Sequence, residues 1–259
     1  MKLIPIFDQA NSCSSYIIGD EITGKAMVVD PLYSLGYKNY VIRAAKERLY
    51  IEHVVDTHVH ADHYSAAKAL CNELGVRVSM GENAPNNFEF NKLKDNQVIA
   101  MGNLKVEILL AAGHTPDNIA LKVIDGSRGE EAWCVFTGDS LFVGDVGRPD
   151  LVYEDEKMIM EAIKGQYDTL FNKFLSLHDY VEIFPAHTGS SSCGGLFLSP
   201  KFSSTIGYEK RHNKFLQAKS FEEFSSLILK TLKPPPPNAR EIRNWNLSES
   251  AYYKISEVG

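Results

Sequence analysis

The chain has 259 residues, of which 44% are hydrophobic and 23% charged, with a formal net charge of −6. That is an ordinary globular composition, sufficient for one large domain or two small ones, and its acidic balance argues against nucleic acid or an anionic membrane as partner. No apolar window approaches the roughly 18–20 residues of a membrane span.

The opening Met1-Lys2-Leu3-Ile4-Pro5-Ile6-Phe7-Asp8 lacks a signal peptide's long apolar run and reads as a short strand. The cysteines at 13, 71, 134 and 193 show no paired-thiol spacing, so a reduced, cytoplasmic setting is expected. Strands are predicted over 15–19 and 26–30, joined by a turn at Thr23-Gly24 and ended by Pro31. Residues 37–50 have helical spacing, with Tyr40, Val41, Ala44, Ala45 and Leu49 as the buried stripe.

A strand over 53–56 then delivers Thr57-His58-Val59-His60-Ala61-Asp62-His63, and a helix over 64–74 ends at Gly75, a cap position. Three of the chain's eight histidines fall within six residues of one another, with an aspartate among them, which a solvated loop does not explain. In an extended segment His58 and His60 point to the same side, and Asp62 and His63 sit at the turn into the helix. Imidazole and carboxylate donors suit zinc or ferrous iron better than calcium or magnesium.

Beyond a short strand at 76–80 and a polar loop over 84–94, a hairpin is predicted over 97–101 and 105–111 about Gly102-Asn103. Its second strand runs into Ala112-Gly113-His114-Thr115-Pro116-Asp117. Strands over 120–124 and 132–137 follow, the latter ending in Gly138-Asp139-Ser140, and a turn-rich loop holds Gly144 to Asp150. A long helix should cover 156–177. The last strand, 181–184, ends in Pro185-Ala186-His187, before a Gly/Ser-rich loop containing Cys193. Helices are predicted over 205–217 and 221–232, before a polyproline stop at 234–237 and a polar surface tail. Residues 1–233 thus form the expected catalytic domain and 234–259 a Pro-rich tail. Four strand ends carry ligand-type residues, which sheet geometry can gather along one edge.

His-x-His-x-Asp-His, Gly-His-Thr-Pro, Thr-Gly-Asp and Pro-Ala-His together resemble the metallo-β-lactamase superfamily across nearly the whole chain. The resemblance implies an α/β fold, an αβ/βα sandwich of two mixed sheets flanked by helices. It also implies one metal position at His58, His60 and His114 and a second at Asp62, His63 and His187, with Asp139 able to bridge them. On that basis a dinuclear zinc hydrolase of glyoxalase II type, cleaving hydroxyacylglutathione thioesters, is one expectation.

The stretch from Phe136 to Asp150, with Gly147-Arg148-Pro149-Asp150, is similar instead to the persulfide dioxygenases, relatives of glyoxalase II. That resemblance implies one Fe(II) per chain held by His58, His114 and Asp139, and oxidation of glutathione persulfide, or a related small persulfide, with O2 to sulfite. His60, Asp62, His63 and His187 become outer residues, and Asp62 joins the catalytic group. Arg148 is then a cation for a glutathione carboxylate, or else an ordinary loop salt bridge. Gly189 to Gly195 resembles a branch often fused to a rhodanese; Cys193 there could carry a persulfide or be a small loop residue. No rhodanese domain follows within these residues, so a separate rhodanese and a homodimer are the candidate protein partners. Asp117 stands where many relatives have glycine.

Overall fold

A computed structural model of the chain describes residues 1–153, 155–189, 191, 193–232, 234–236 and 238–249; Glu154, Ser190, Ser192, Lys233, Pro237 and the tail beyond 249 lie outside the described residues. Two six-stranded mixed sheets pack face to face. The first holds β1 (Lys2–Asp8), β2 (Cys13–Gly19), β3 (Lys25–Val29), β4 (Tyr50–Val55), β5 (Val78–Gly81) and β6 (Asn91–Leu93) in that order. It is antiparallel from β1 to β3 and parallel from β3 onward. The second holds β7 (Val98–Met101), β8 (Leu104–Leu110), β9 (Ile119–Asp125), β10 (Ala132–Gly138), β11 (Glu182–Pro185) and β12 (Ser204–Thr205).

Alternation along these strands builds three layers. On β2 and β3, Tyr16, Ile18, Met27 and Val29 face the second sheet, while Ile17, Ala26 and Val28 face outward under α1 (Tyr37–Lys46) and α2 (Ala67–Leu74). On β8 to β10, Val106, Ile108, Leu121, Val123, Cys134 and Phe136 face back between the sheets. Leu109, Ala120 and Val135 point instead toward α3 (Glu156–Asp168), α4 (Ile206–His212) and α5 (Phe221–Thr231). Strands buried on both faces explain the continuous apolar runs. Each fully buried large side chain is worth about 1.5–3 kcal/mol, so these layers hold the edge loops in place.

Several elements differ from expectation for local reasons. The helix expected from 64 starts at Ala67, because Ser65 Oγ accepts the Ala67 amide at 3.0 Å while donating to Asp56 at 2.7 Å. Gly75 is its left-handed cap, as expected. The predicted polar loop 84–94 contributes β6. The long helix gives way after α3 to a wider π turn over Thr169–Phe174. The helix over 205–217 is interrupted at Asn213, whose side chain accepts from Phe215 N and donates to Asp145 O. The largest departure is the tail, where residues expected to be polar and superficial form α6 (Ala239–Leu247), which buries Ile242 and Asn246. Among the described residues no helix is long and apolar enough to cross a membrane.

Candidate metal centre

β8, β10 and β11 run in one direction, since β9 is antiparallel to β8 and β10 and β11 is parallel to β10. Their carboxyl ends deliver His114, Asp139 and His187 to one edge, where the loop after β4 supplies residues 57–63.

His58, His114 and Asp139 converge there, each offering an atom within 4.8 Å of the others. Asp139 Oδ2 lies 3.3 Å from His114 Nε2 and 3.8 Å from His58 Nε2. Donors at 2.0–2.2 Å from a common ion stand about 3–3.5 Å apart, so the set is close to ligand spacing. The hydrogen bonds agree. His114 Nδ1 meets the Arg148 carbonyl at 2.7 Å, and a carbonyl only accepts, so Nδ1 carries the proton and Nε2 presents its lone pair. Thr57 Oγ1 donates to Asp30 and accepts from His58 Nδ1 at 3.0 Å, with the same result. His58 Nε2 and Asp139 Oδ2 are buried without a hydrogen-bond partner. Unpartnered buried polar atoms are costly, and a cation among these three resolves two of them. The residues fit a metal.

A second group lies beside the first. Cys13, Asp62, His63 and His187 each offer an atom within 4.8 Å of the others. Here His187 is already hydrogen-bonded at both nitrogens, Nδ1 to Asp139 Oδ1 at 2.7 Å and Nε2 to Asp62 Oδ2 at 2.6 Å. Asp62 Oδ2 also meets His63 Nδ1 at 3.0 Å and the Cys13 thiol at 3.6 Å, while Asp62 Oδ1 and His63 Nε2 are unpartnered. His60 lies with its ring centroid 4.1 Å from that of His58 and keeps its Nδ1 buried without a partner. Its Nε2 meets Asp30 Oδ1 at 3.1 Å, and it groups with Asp30 and Asp56 rather than with His58 and His114.

Burial, reinforced by the neighbouring His60, holds the His58 imidazole well below its usual range. Burial lowers His114 as well, against the pull of Asp139. Both are therefore neutral donors at ordinary pH. Burial by itself would raise Asp139 and Asp62, but His187 and further imidazoles outweigh it and hold both carboxyls well below the usual carboxylate range. Burial would lower His187, yet Asp139 and Asp62 on its two sides raise it well above the ordinary imidazole range.

The scaffolding beneath these side chains came from residues that carry no motif. Asp30, at the end of β3, accepts from Thr57 N at 2.7 Å and fixes the start of the ligand loop. Asp117 accepts from Val59 N at 2.7 Å and so ties two ligand loops together. Gln166 of α3 is wholly buried and donates to the Ser140 carbonyl beside Asp139. Gly113 has φ +153 and packs so closely on Gln166 that a Cβ would lie 2.5 Å from the Gln166 Cα. Cys13, read at first as one of four scattered cysteines, is placed beside His187 by an isolated bridge between their backbones. Nothing local in the sequence marks it.

Arg148 departs from the expected open clamp. Its guanidinium is buried, with Nε and Nη2 on the two oxygens of Asp150 at 2.8 and 2.7 Å and Nη1 3.5 Å from the Pro234 carbonyl. A two-pronged ion pair two residues apart engages the fork here, the geometry of the loop salt bridge that was the alternative expectation. Cys193 is fully buried and groups with Asp139 and His187. Burial, with the charges of Asp62 and Asp139, holds its thiol protonated.

Residues 9–187 match the family model described as the metallo-beta-lactamase superfamily. A metallo-beta-lactamase structure from Staphylococcus aureus is 30% identical with a TM-score of 0.87, covering 96% of this chain and 73% of that one. The structure of ETHE1 from Myxococcus xanthus is 28% identical with a TM-score of 0.80, covering 95% of this chain and 98% of that one. The hydroxyacylglutathione hydrolase GloC of Haemophilus influenzae is 28% identical over 85% of this chain and 99% of its own length. Against two further relatives, beta-lactamase hydrolase-like proteins, the chain spans about half the relative's length, 54% and 51%.

Proposed function

From the premise that the chain belongs to the metallo-β-lactamase superfamily, we propose that it is an iron-dependent persulfide dioxygenase acting on glutathione persulfide or a related small persulfide. The observation that carries this reading is the division of labour at the edge. His58 Nε2 and Asp139 Oδ2 are unpartnered toward one point, with His114 Nε2 3.3 Å from Asp139 Oδ2, whereas both nitrogens of His187 are hydrogen-bonded to carboxylates. Two histidines and one carboxylate are the donor set of mononuclear non-haem iron, with positions left open for substrates. Ferrous iron held there would supply redox chemistry toward dioxygen, which zinc lacks. Similarity to the M. xanthus ETHE1 structure, over nearly the full length of both chains, supports the same reading.

The chain's own residues have definite parts in it. The Arg148 carbonyl and Thr57 hydroxyl fix the tautomers of the two histidines. Asp139 divides its oxygens, Oδ2 toward the ion position and Oδ1 toward His187. The His187–Asp62 pair at 2.6 Å is a proton store next to the reacting edge. Burial of all these groups excludes bulk water, which strengthens every electrostatic contact among them. The overall change balances as persulfide plus O2 plus water giving thiol, sulfite and two protons: the outer sulfur is oxidised, O2 is reduced, and the S–S bond breaks.

The second reading is a dinuclear zinc thioester hydrolase. The group Cys13, Asp62, His63 and His187, with unpartnered Asp62 Oδ1 and His63 Nε2, favours it, as does the similarity to GloC. Anaerobically purified protein decides between them. One iron per chain, with oxygen consumed and sulfite formed from glutathione persulfide, is expected. Two zincs per chain, with anaerobic release of glutathione from lactoylglutathione and no oxygen uptake, would replace the dioxygenase reading with the hydrolase.

A further inference from the structure

The ligand loop between β4 and α2 belongs to no helix or strand, so its backbone donors and acceptors need partners from elsewhere. A large share comes from α6, a helix that lies wholly beyond the 9–187 span of the family match. Asn246 is buried, and its side chain makes three contacts with this loop. Its Nδ2 donates to the carbonyls of His60 and His63, both at 2.9 Å, and its Oδ1 accepts from Ser65 N at 3.0 Å. Every hydrogen-bonding position used is backbone, so one amide fixes the path of the chain on both sides of Asp62. One helical turn earlier, Arg243 donates to the Val59 carbonyl at 3.1 Å, next to His58.

α6 is itself fastened to the same region. The ammonium of Lys68, in α2, donates to the carbonyls of Trp245, Asn246 and Ser248 at 3.3, 2.7 and 2.7 Å. A cation at a helix carboxyl end also meets the favourable end of the helix dipole. Tyr64 and Trp245 pack edge to face with centroids 5.5 Å apart.

We propose that α6 is a clamp on the metal centre, with Asn246 and Arg243 as positioning residues that fix the backbone of the 57–65 loop, hold His58 in ligand geometry and so set how tightly the ion is retained. The inference rests on the reading of His58, His114 and Asp139 as a metal site but not on which reaction occurs there. The test uses the full chain loaded with Co(II), whose visible absorption reports ligand geometry. It compares Asn246→Asp, which keeps one acceptor but sets a carboxylate against two carbonyls, with Ala239→Gly. The glycine variant removes a buried methyl from the start of α6 without touching the loop. Loss of an outer residue that orients ligands costs about 10–100-fold in metal affinity, so Asn246→Asp should release cobalt to a chelator that much faster and shift its absorption, while Ala239→Gly does neither. Should Asn246→Asp fail to fold, Arg243→Met is expected to act in the same direction. Release rates within twofold of the parent in the Asn246 or Arg243 variant, or equal acceleration by Ala239→Gly, overturn the clamp. Failure of the parent chain to bind cobalt would overturn the metal reading instead.

Discussion

The carbonyl of Arg148 lies 2.7 Å from His114 Nδ1. A motif residue expected to bind substrate through its side chain thus serves the metal centre through its backbone. The guanidinium holds that backbone in place by its paired contacts with Asp150. Removing one partner leaves the other charge partly buried and without this ion pair. Arg148→Ala and Asp150→Ala should therefore each lower metal content and kcat, with little change in KM, and the double variant should add little to either. A raised KM with kcat retained would restore the substrate-clamp role.

His114→Ala should abolish metal binding, because it removes one of three converging donors. Asp62→Ala should leave one iron per chain and reduce turnover by about 10–100-fold, the usual cost of an outer partner, here the acceptor for His187 Nε2. Metal counted per chain in the two purified variants checks both. Loss of a metal equivalent from Asp62→Ala would support the dinuclear arrangement.

Much of this centre was legible because its donors are polar residues placed directly after apolar strands. His58, His114, Asp139 and His187 each follow such a strand, and sheet direction brings their ends together. What was not legible depends on tertiary contact. His60 has the same local chemistry as His58, yet Asp30, a sequence distance of 30 away, engages its Nε2 and leaves only Nδ1 unpartnered. Arg148 reads equally well as clamp or tie until Asp150 is seen closing its fork. Asn246 sits in a stretch whose polarity suggests surface, because its hydrogen bonds to the ligand loop span more than 180 positions. Cys13 is hydrophobic by composition and becomes a possible donor only beside His187.

Cys193 should behave as a buried thiol. All four cysteines are free and buried, so the native chain should alkylate slowly and the urea-unfolded chain rapidly. Cys193→Ser should keep its metal, since the thiol is outside the His58, His114 and Asp139 group. Its place within 4.8 Å of Asp139 and His187 leads us to expect a fall of about 10–100-fold in persulfide oxidation, the range for an outer residue beside a ligand. Turnover equal to the parent would assign Cys193 to packing alone.

Gly147 is the last residue whose role the geometry defines. A Cβ placed on it would lie 1.8 Å from the Asp139 carbonyl oxygen and 3.2 Å from the His114 Cβ. Both neighbours belong to the converging set, and the closer contact is with backbone, which cannot rotate away. Gly147→Ala must therefore move either the 144–150 loop or the chain at Asp139. Moving the loop withdraws the Arg148 carbonyl from His114 Nδ1; moving Asp139 disturbs its contacts with His114 and His187. Either way the centre is altered while the layers between and outside the sheets stay intact, since Gly147 contributes nothing to them. The expected result is a folded chain with near-parent far-ultraviolet circular dichroism that has lost metal affinity and turnover together. Overpacking of this kind typically costs about 1–3 kcal/mol, so its melting temperature should also fall modestly. A Gly147→Ala variant with parent metal content and activity would mean that the Gly147-Arg148-Pro149-Asp150 turn does not set the geometry of the ligands.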